Sequence, residues 1–456
     1  MKKLLIIATL AAVGMGACSK DDGVSAPEDL RKYVQVTIPE NAASGETRTS
    51  VDGTTTSWVA GYKVAVSLYN GSTTEVCEFT VDRTGATTTF SGSVPVGSYT
   101  CAAAHYPFCA ATFDAVNKTF THTWGDAYCS TDLAAYDFMF STVYETPFVV
   151  DETTTVLPIA LTFRPLMARI GMKLALGANE TPKYVTFTTD DNVLPTAGTV
   201  NADGTFSASA LTNSLTVETD RKEFTVGLLP VGVVSKMSVH VTTTDGMTYS
   251  DKSFQLAGLK RNTHYTMNVP CRTKRFMLTV PDGIDTKYGT GTYKNNEFYS
   301  VDPATDPTGI FKDWYFYRAE LKNTTNTARG DKLKGKNRIQ LQVALGGNNS
   351  NNGAFVTAPI QCDGTKTVTV SFTAATNRLI SANYWIGVTD NGPITSDWLR
   401  DINKISPHAE GLIPRSDNVS HSHTFTVTNG QRIMVKVSNT LGEHHLEFAD
   451  FTYTVE

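Results

Sequence analysis

Apolar and polar residues alternate in short runs along most of the chain, and Gly, Asn, Asp and Pro bound the runs. Ile170, Met172, Leu174 and Leu176 share one face against Arg169, Gly171 and Lys173, while Met237, Val239 and Val241 oppose Lys236, Ser238 and His240. A period of two belongs to a strand with one wet face, the unit of antiparallel sandwiches. The pattern recurs at Val34, Val36, Ile38; at Val64, Val66, Leu68; at Tyr265, Met267, Val269; at Val368, Val370, Phe372; and at Ile433, Val435, Val437. Long helical periods are missing. The one helix expected is short, around residues 396–405, with Ser396 as cap and Trp398, Leu399 and Ile402 as a partial apolar stripe. The fold class is therefore all-β.

The start of the chain breaks this pattern. Met1-Lys2-Lys3, an apolar stretch from Leu4 to Gly16, then Ala17 and Cys18 have the layout of an export signal over residues 1–17. The stretch is shorter than the roughly 20 residues of a spanning helix. Met15-Gly16-Ala17-Cys18 resembles a lipobox, which implies a lipid on Cys18. Ser19-Lys20-Asp21-Asp22 resembles the surface-export signal of Bacteroides-group lipoproteins, which implies the outer face of the outer membrane, with residues 18–32 as a solvated tether. Two later breaks divide the rest. Asp151 to Pro158 reads as a polar connection before a strand at Leu161, and Pro270-Cys271-Arg272-Thr273-Lys274 reads as a basic linker. The expected units are residues 33–157, 158–270 and 275–456.

Composition narrows the function. With a net charge of −5, a pI near 6.0 and 18% charged residues, binding to nucleic acid or anionic lipid through bulk charge is not expected. Membrane contact would come through the lipid alone. Six cysteines remain besides Cys18: Cys77, Cys101, Cys109, Cys129, Cys271 and Cys362. The first four suit one or two disulfides in an oxidising compartment, with all three pairings open. The chain carries no nucleophile elbow, phosphate-binding glycine loop, His-Glu-x-x-His helix or dinucleotide fingerprint, so the expectation is a binding or structural protein without a resident cofactor.

The last third holds the candidate ligand chemistry. Aromatics are dense at Trp314-Tyr315-Phe316-Tyr317 and Tyr384-Trp385, with Trp398 beyond. An exposed ring stacks on the apolar face of a sugar, so Trp314, Tyr384, Trp385 and Trp398 are candidate glycan-binding residues, although alternation assigns most such rings to the core. The inward set Leu446, Phe448 shifts phase to Phe451, Tyr453, Val455, and one extra residue implies a bulge near Ala449-Asp450. Bulges re-aim side chains, and Glu447 or Asp450 meeting Glu297 or Asp302 would form a structural calcium site, against a default of plain surface carboxylates. His421 and His423, with His444-His445 further on, are a weaker metal candidate.

Several landmarks run in order along residues 33–270: Tyr33 to Ile38; Glu46-Thr47-Arg48-Thr49-Ser50; Trp58 and Gly61 before Val64-Ala65-Val66; Leu161-Thr162-Phe163 with Met167-Ala168-Arg169-Ile170; Leu228-Leu229-Pro230; and Leu259 to Tyr265. With these landmarks the segment resembles the fimbrillin family of Bacteroides-type lipoproteins. Tyr62 and Pro165 depart from the family pattern. The resemblance implies two tandem transthyretin-like β sandwiches that polymerise by strand exchange after a trypsin-like protease cuts behind an arginine. Arg48 is the matching position and Thr49 the new first residue; a solvated loop arginine is the alternative reading of Arg48. Loss of residues 33–38 would expose an apolar groove for a partner strand.

Residues 275–456 more loosely resemble a jelly-roll or galactose-binding-like sandwich, on Asn337 to Leu341, Val356 to Ile360, Val368 to Phe372 and Leu446 to Phe451. The combined expectation is a minor or tip fimbrial subunit whose partners are other subunits and a glycan or host-surface ligand. The alternative is an unpolymerised surface lipoprotein that binds glycans.

Overall fold

The structure is a computed structural model, and it describes residues 30–38, 58–85, 87–201, 203–232, 234–281, 298–300, 309–325, 332–343, 352–376, 381–390, 392–414, 418–438 and 445–456. Cys18, Arg48, Thr49, Glu297, Asp302 and His444 lie outside the described residues. The described chain is all-β, with two short helices at Leu133–Tyr136 and Ser396–Arg400. Strands form where alternation was read: Val34, Val36 and Ile38 are buried, as are Ile170, Met172 and Leu174, and Met237, Val239 and Val241.

The first sheet has seven strands. Strand β1 (Arg31–Ile38) lies at one edge and is followed across the sheet by β4 (Thr88–Pro95), β3 (Thr74–Val81) and β2 (Lys63–Tyr69). The strands Cys101–Tyr106, Met139–Ser141 and Phe163–Pro165 complete it. Pro165 cannot donate to a ladder, and it sits in the strand at the other edge, where that loss is tolerated. The core beneath holds Trp58, Phe79, Phe90, Tyr106, Phe148 and Phe163.

A second core gathers Phe113, Phe120, Phe138, Ile170, Phe187, Val226, Met237 and Val239. Its sheets mix distant segments. The hairpin Thr112–Asp114 and Thr119–Thr123 joins Leu194–Val200 and Phe206–Thr212 in one four-stranded sheet. Ala168–Leu174 pairs antiparallel with Glu223–Leu228 and parallel with His264–Val269. That parallel pair departs from the antiparallel expectation.

The third core, formed by residues including Phe276, Trp314, Phe355, Phe372, Tyr384, Phe448 and Tyr453, is continuous with the second unit through the backbone. The strand Lys274–Met277 pairs antiparallel with Thr248–Leu256 on one side and with His445–Val455 on the other. This joins strands of both units into one ten-stranded sheet. The expected basic linker is thereby corrected: its last residue, Lys274, is 1% exposed and starts a central strand.

Two local expectations also change. The helix Ser396–Arg400 is capped by Thr395, whose side chain accepts from the Trp398 N–H at 3.2 Å, not by Ser396. Cys101, Cys109 and Cys129 carry free thiols, so no pair among the first four cysteines forms an expected disulfide. The predicted bulge is present: between Ser371↔Thr452 and Thr373↔Ala449 the long C-terminal strand carries one extra residue, and Asp450 takes a φ of 52°.

Candidate functional site: an edge strand and an aromatic sheet face

β1 is built to be held from one side. It pairs antiparallel with β4 at every residue from Arg31↔Pro95 to Ile38↔Thr88. On its other side it makes one parallel bridge to Val156: the Gln35 N–H donates to the Thr155 carbonyl at 2.9 Å, and the Leu157 N–H donates to the Gln35 carbonyl at 2.8 Å. Val34, Val36 and Ile38 enter the core, and burying each contributes about 1.5–3 kcal/mol. The outward residues are wet, with Tyr33 67% exposed.

The groove under β1 is shaped by Gly92, which stands opposite Val34 and Phe79. A Cβ there would fall 2.6 Å from both the Glu78 carbonyl and the Phe79 ring, so glycine lets that ring lie across the strand. Trp58, which follows the Arg48 segment in the chain, packs edge-on against Phe90 at 4.9 Å and Phe163 at 5.1 Å. Both ends of the connection that contains Arg48 are therefore anchored in one core.

The second candidate region is the outer face of the C-terminal sheet formed by Tyr315–Tyr317, Ala354–Val356, Arg432–Val437, Ala382–Thr389 and His408–Ile413. Register aligns Tyr317, Ala354, Lys436, Trp385 and Glu410 in one row across it. The Trp385 indole N–H donates to Glu410. Lys436 is fully buried under the helix Ser396–Arg400, donates to the Leu399 carbonyl at 3.1 Å, and is pushed down to about 8 by burial. Arg432 lies over the Tyr315 ring at 5.6 Å.

The four aromatic candidates separate by burial. Trp314 and Tyr384 are both fully buried in the inner core, which corrects the expectation that they could offer a ring to a ligand. Trp385 and Trp398 are half-buried on the outer face and pack around Leu399 and Met434. Tyr315, half-buried on the same face, was hidden to sequence reasoning because its neighbours Phe316 and Tyr317 are both buried.

Of the carboxylates in the calcium expectation, Glu297 and Asp302 lie outside the described residues, and Glu447 and Asp450 have protein partners in place. Glu447 accepts from the N–H groups of Lys332 at 3.0 Å and Leu333 at 2.8 Å, and lies 3.7 Å from the buried Arg338. Asp450 instead meets Lys336 at 2.5 Å on the surface. His421 and His423 stack near Phe372, the His423 ring hydrogen-bonds Tyr384 at 2.8 Å, and burial lowers both imidazoles. Among the described residues no three His, Cys, Asp or Glu side chains converge as a metal site.

A family model described as fimbrillin-like matches residues 47–281. No curated protein matches the chain. Among solved structures, a candidate cell adhesion protein from Bacteroides uniformis is 17% identical over 54% of this chain and 94% of that chain, at a TM-score of 0.35. The C-terminally truncated tip fimbrial protein Mfa3 from Porphyromonas gingivalis is 12% identical over 55% of this chain and 96% of that chain, at a TM-score of 0.27. A structure described as CBM4 is 14% identical over 35% of this chain and 95% of that chain, at a TM-score of 0.23.

Proposed function

The chain belongs to the fimbrillin-like family, and on that premise we propose that it is a minor or tip fimbrial subunit of the cell surface, assembled by protease-triggered strand exchange. The observation that carries this reading is β1: an edge strand with three core side chains, paired along its whole length with β4 on one side, held at a single bridge on the other, and joined to the rest of the first unit through the segment that contains Arg48. Cleavage behind Arg48 would leave Thr49 as the first residue. Residues 31–38 could then leave, exposing the β4 ladder and an apolar groove for the strand of another subunit. In this reading Cys18 carries a transit lipid on the outer membrane and is left behind by the cut. Three units, residues 33–157, 158–270 and 275–456, then divide the work, the last serving recognition beyond the polymerising pair.

Cells carrying Arg48→Ala should display the protein with its lipidated N-terminus and without detergent-resistant high-molecular-weight ladders. Ladders that persist in this variant would contradict cleavage at Arg48. A second reading, glycan recognition by an unpolymerised lipoprotein, is favoured by half-buried Trp385 held beside Glu410. In that case Trp385→Ala should lower glycan-array signal about tenfold or more while the melting temperature stays within a few degrees; equal signal from both proteins removes this face from consideration.

A further inference from the structure

At the joint between the second and third units one lysine is enclosed by two carboxylates. The Lys274 Nζ lies 2.9 Å from Asp245 Oδ2 and 2.8 Å from Glu180 Oε1, and also donates to the Gln361 carbonyl. Side-chain exposure is 1% for Lys274, 2% for Asp245 and 6% for Glu180, so the cluster is shielded from water. Each carboxylate is fixed further. Asp245 Oδ1 accepts from the Thr243 hydroxyl at 2.5 Å and the Met247 N–H at 3.2 Å, and its Oδ2 accepts from the Gln361 N–H at 3.2 Å. Glu180 Oε1 accepts from the Tyr249 hydroxyl at 2.6 Å and its Oε2 from the Gly177 N–H at 2.9 Å.

A salt bridge needs one carboxylate, and burying a second beside it is costly unless it has other work. We propose that Lys274 and Asp245 condense to an intramolecular isopeptide bond, with Glu180 as the proton shuttle. A proton moves from the Lys274 ammonium to the Asp245 carboxylate, which turns the pair into a neutral amine and a neutral acid. The amine attacks Asp245 Cγ, and negative charge developing on Oδ1 meets the Thr243 hydroxyl and Met247 N–H already aimed at it. Glu180 takes a proton from the nitrogen and passes it to the departing oxygen. One N–C bond forms, one C–O bond breaks, and one water leaves with no change of oxidation state. A cavity of about 220 Å³ lined by Lys274, Glu180, Tyr249 and Cys362 can receive that water. The bond closes residues 245–274 into a covalent loop and lets tension cross the joint without relying on the short Lys274–Met277 ladder. This is independent of whether the chain polymerises.

The test is a tryptic peptide map of the denatured full chain. The proposal predicts a branched peptide joining residues 237–252 to residues 273–275, lighter than its two linear parts by one water, and no cleavage after Lys274. In Glu180→Gln the same map should return linear peptides with cleavage after Lys274. Linear peptides from the unaltered protein would reduce the cluster to a buried ion pair and overturn the proposal. A branch from Lys274 to residues 174–183 would overturn the assignment of Asp245 as the acceptor.

Discussion

At the level of single residues, burial decides which polar groups carry consequences. His105 is fully buried between Phe120 and Phe138, with Nε2 3.4 Å from the Cys109 carbonyl, and burial pushes its imidazole down to about 4 from an ordinary 6.5. The unfolded chain binds that proton below pH 6.5 while the folded one refuses it until about 4. Its contribution to stability is therefore full above pH 6.5 and drains as the pH falls to about 4, by up to about 3 kcal/mol. Denaturant unfolding of His105→Phe across that window should lose this part of the slope that the unaltered protein keeps. Glu447 is the opposite case, a buried charge whose partners are all in place. Glu447→Ala takes the carboxylate from beside the buried Arg338 guanidinium and removes the acceptor of two N–H groups, at a cost of about 3–5 kcal/mol read as a lower denaturation midpoint. Sequence could nominate Glu447 as a metal ligand because it shows carboxylates without their neighbours. Lys332, Leu333 and Arg338 are more than a hundred residues away along the chain, and only folding brings them there.

Among the elements, strands were legible wherever one face stays wet. Ile170-Met172-Leu174 and Val34-Val36-Ile38 alternate cleanly because water covers their other face. Where both faces are covered the strand can still be read, from Ile433, Val435 and Val437, but the burial of its second face cannot. In Arg432–Val437, Met434 and Lys436 are as buried as Ile433 and Val435, since the helix Ser396–Arg400 lies over the outer face. The bulge at Asp450 could be read from a single phase slip, because one inserted residue flips every later side chain. Pairing partners could not be read. Nothing local in Ala168–Leu174 announces a parallel neighbour nearly a hundred residues later, and nothing in Pro270 to Lys274 announces a central strand in place of a linker. The landmark Arg169 gains a physical reason only in three dimensions: it pairs with buried Asp137, whose carboxyl burial pushes up.

For the whole molecule, two features differ in how they are held. The joint between the second and third units is a continuous sheet closed over Lys274, Glu180 and Asp245, which suits a part that transmits load. The first unit has β1 at its edge instead, a strand attached by one ladder, one bridge and three core side chains. The proposed strand exchange, in which a subunit gives up one strand and stays folded elsewhere, calls for that asymmetry. The decisive measurement is strand complementation: a chain beginning at Thr49, mixed with a peptide of residues 31–38 and followed by native mass spectrometry and thermal melting. The account predicts a one-to-one complex with a raised melting temperature, and no complex when the peptide carries Val36→Asp. A chain beginning at Thr49 that melts like the full protein and ignores the peptide would contradict the claim that β1 is the exchangeable strand.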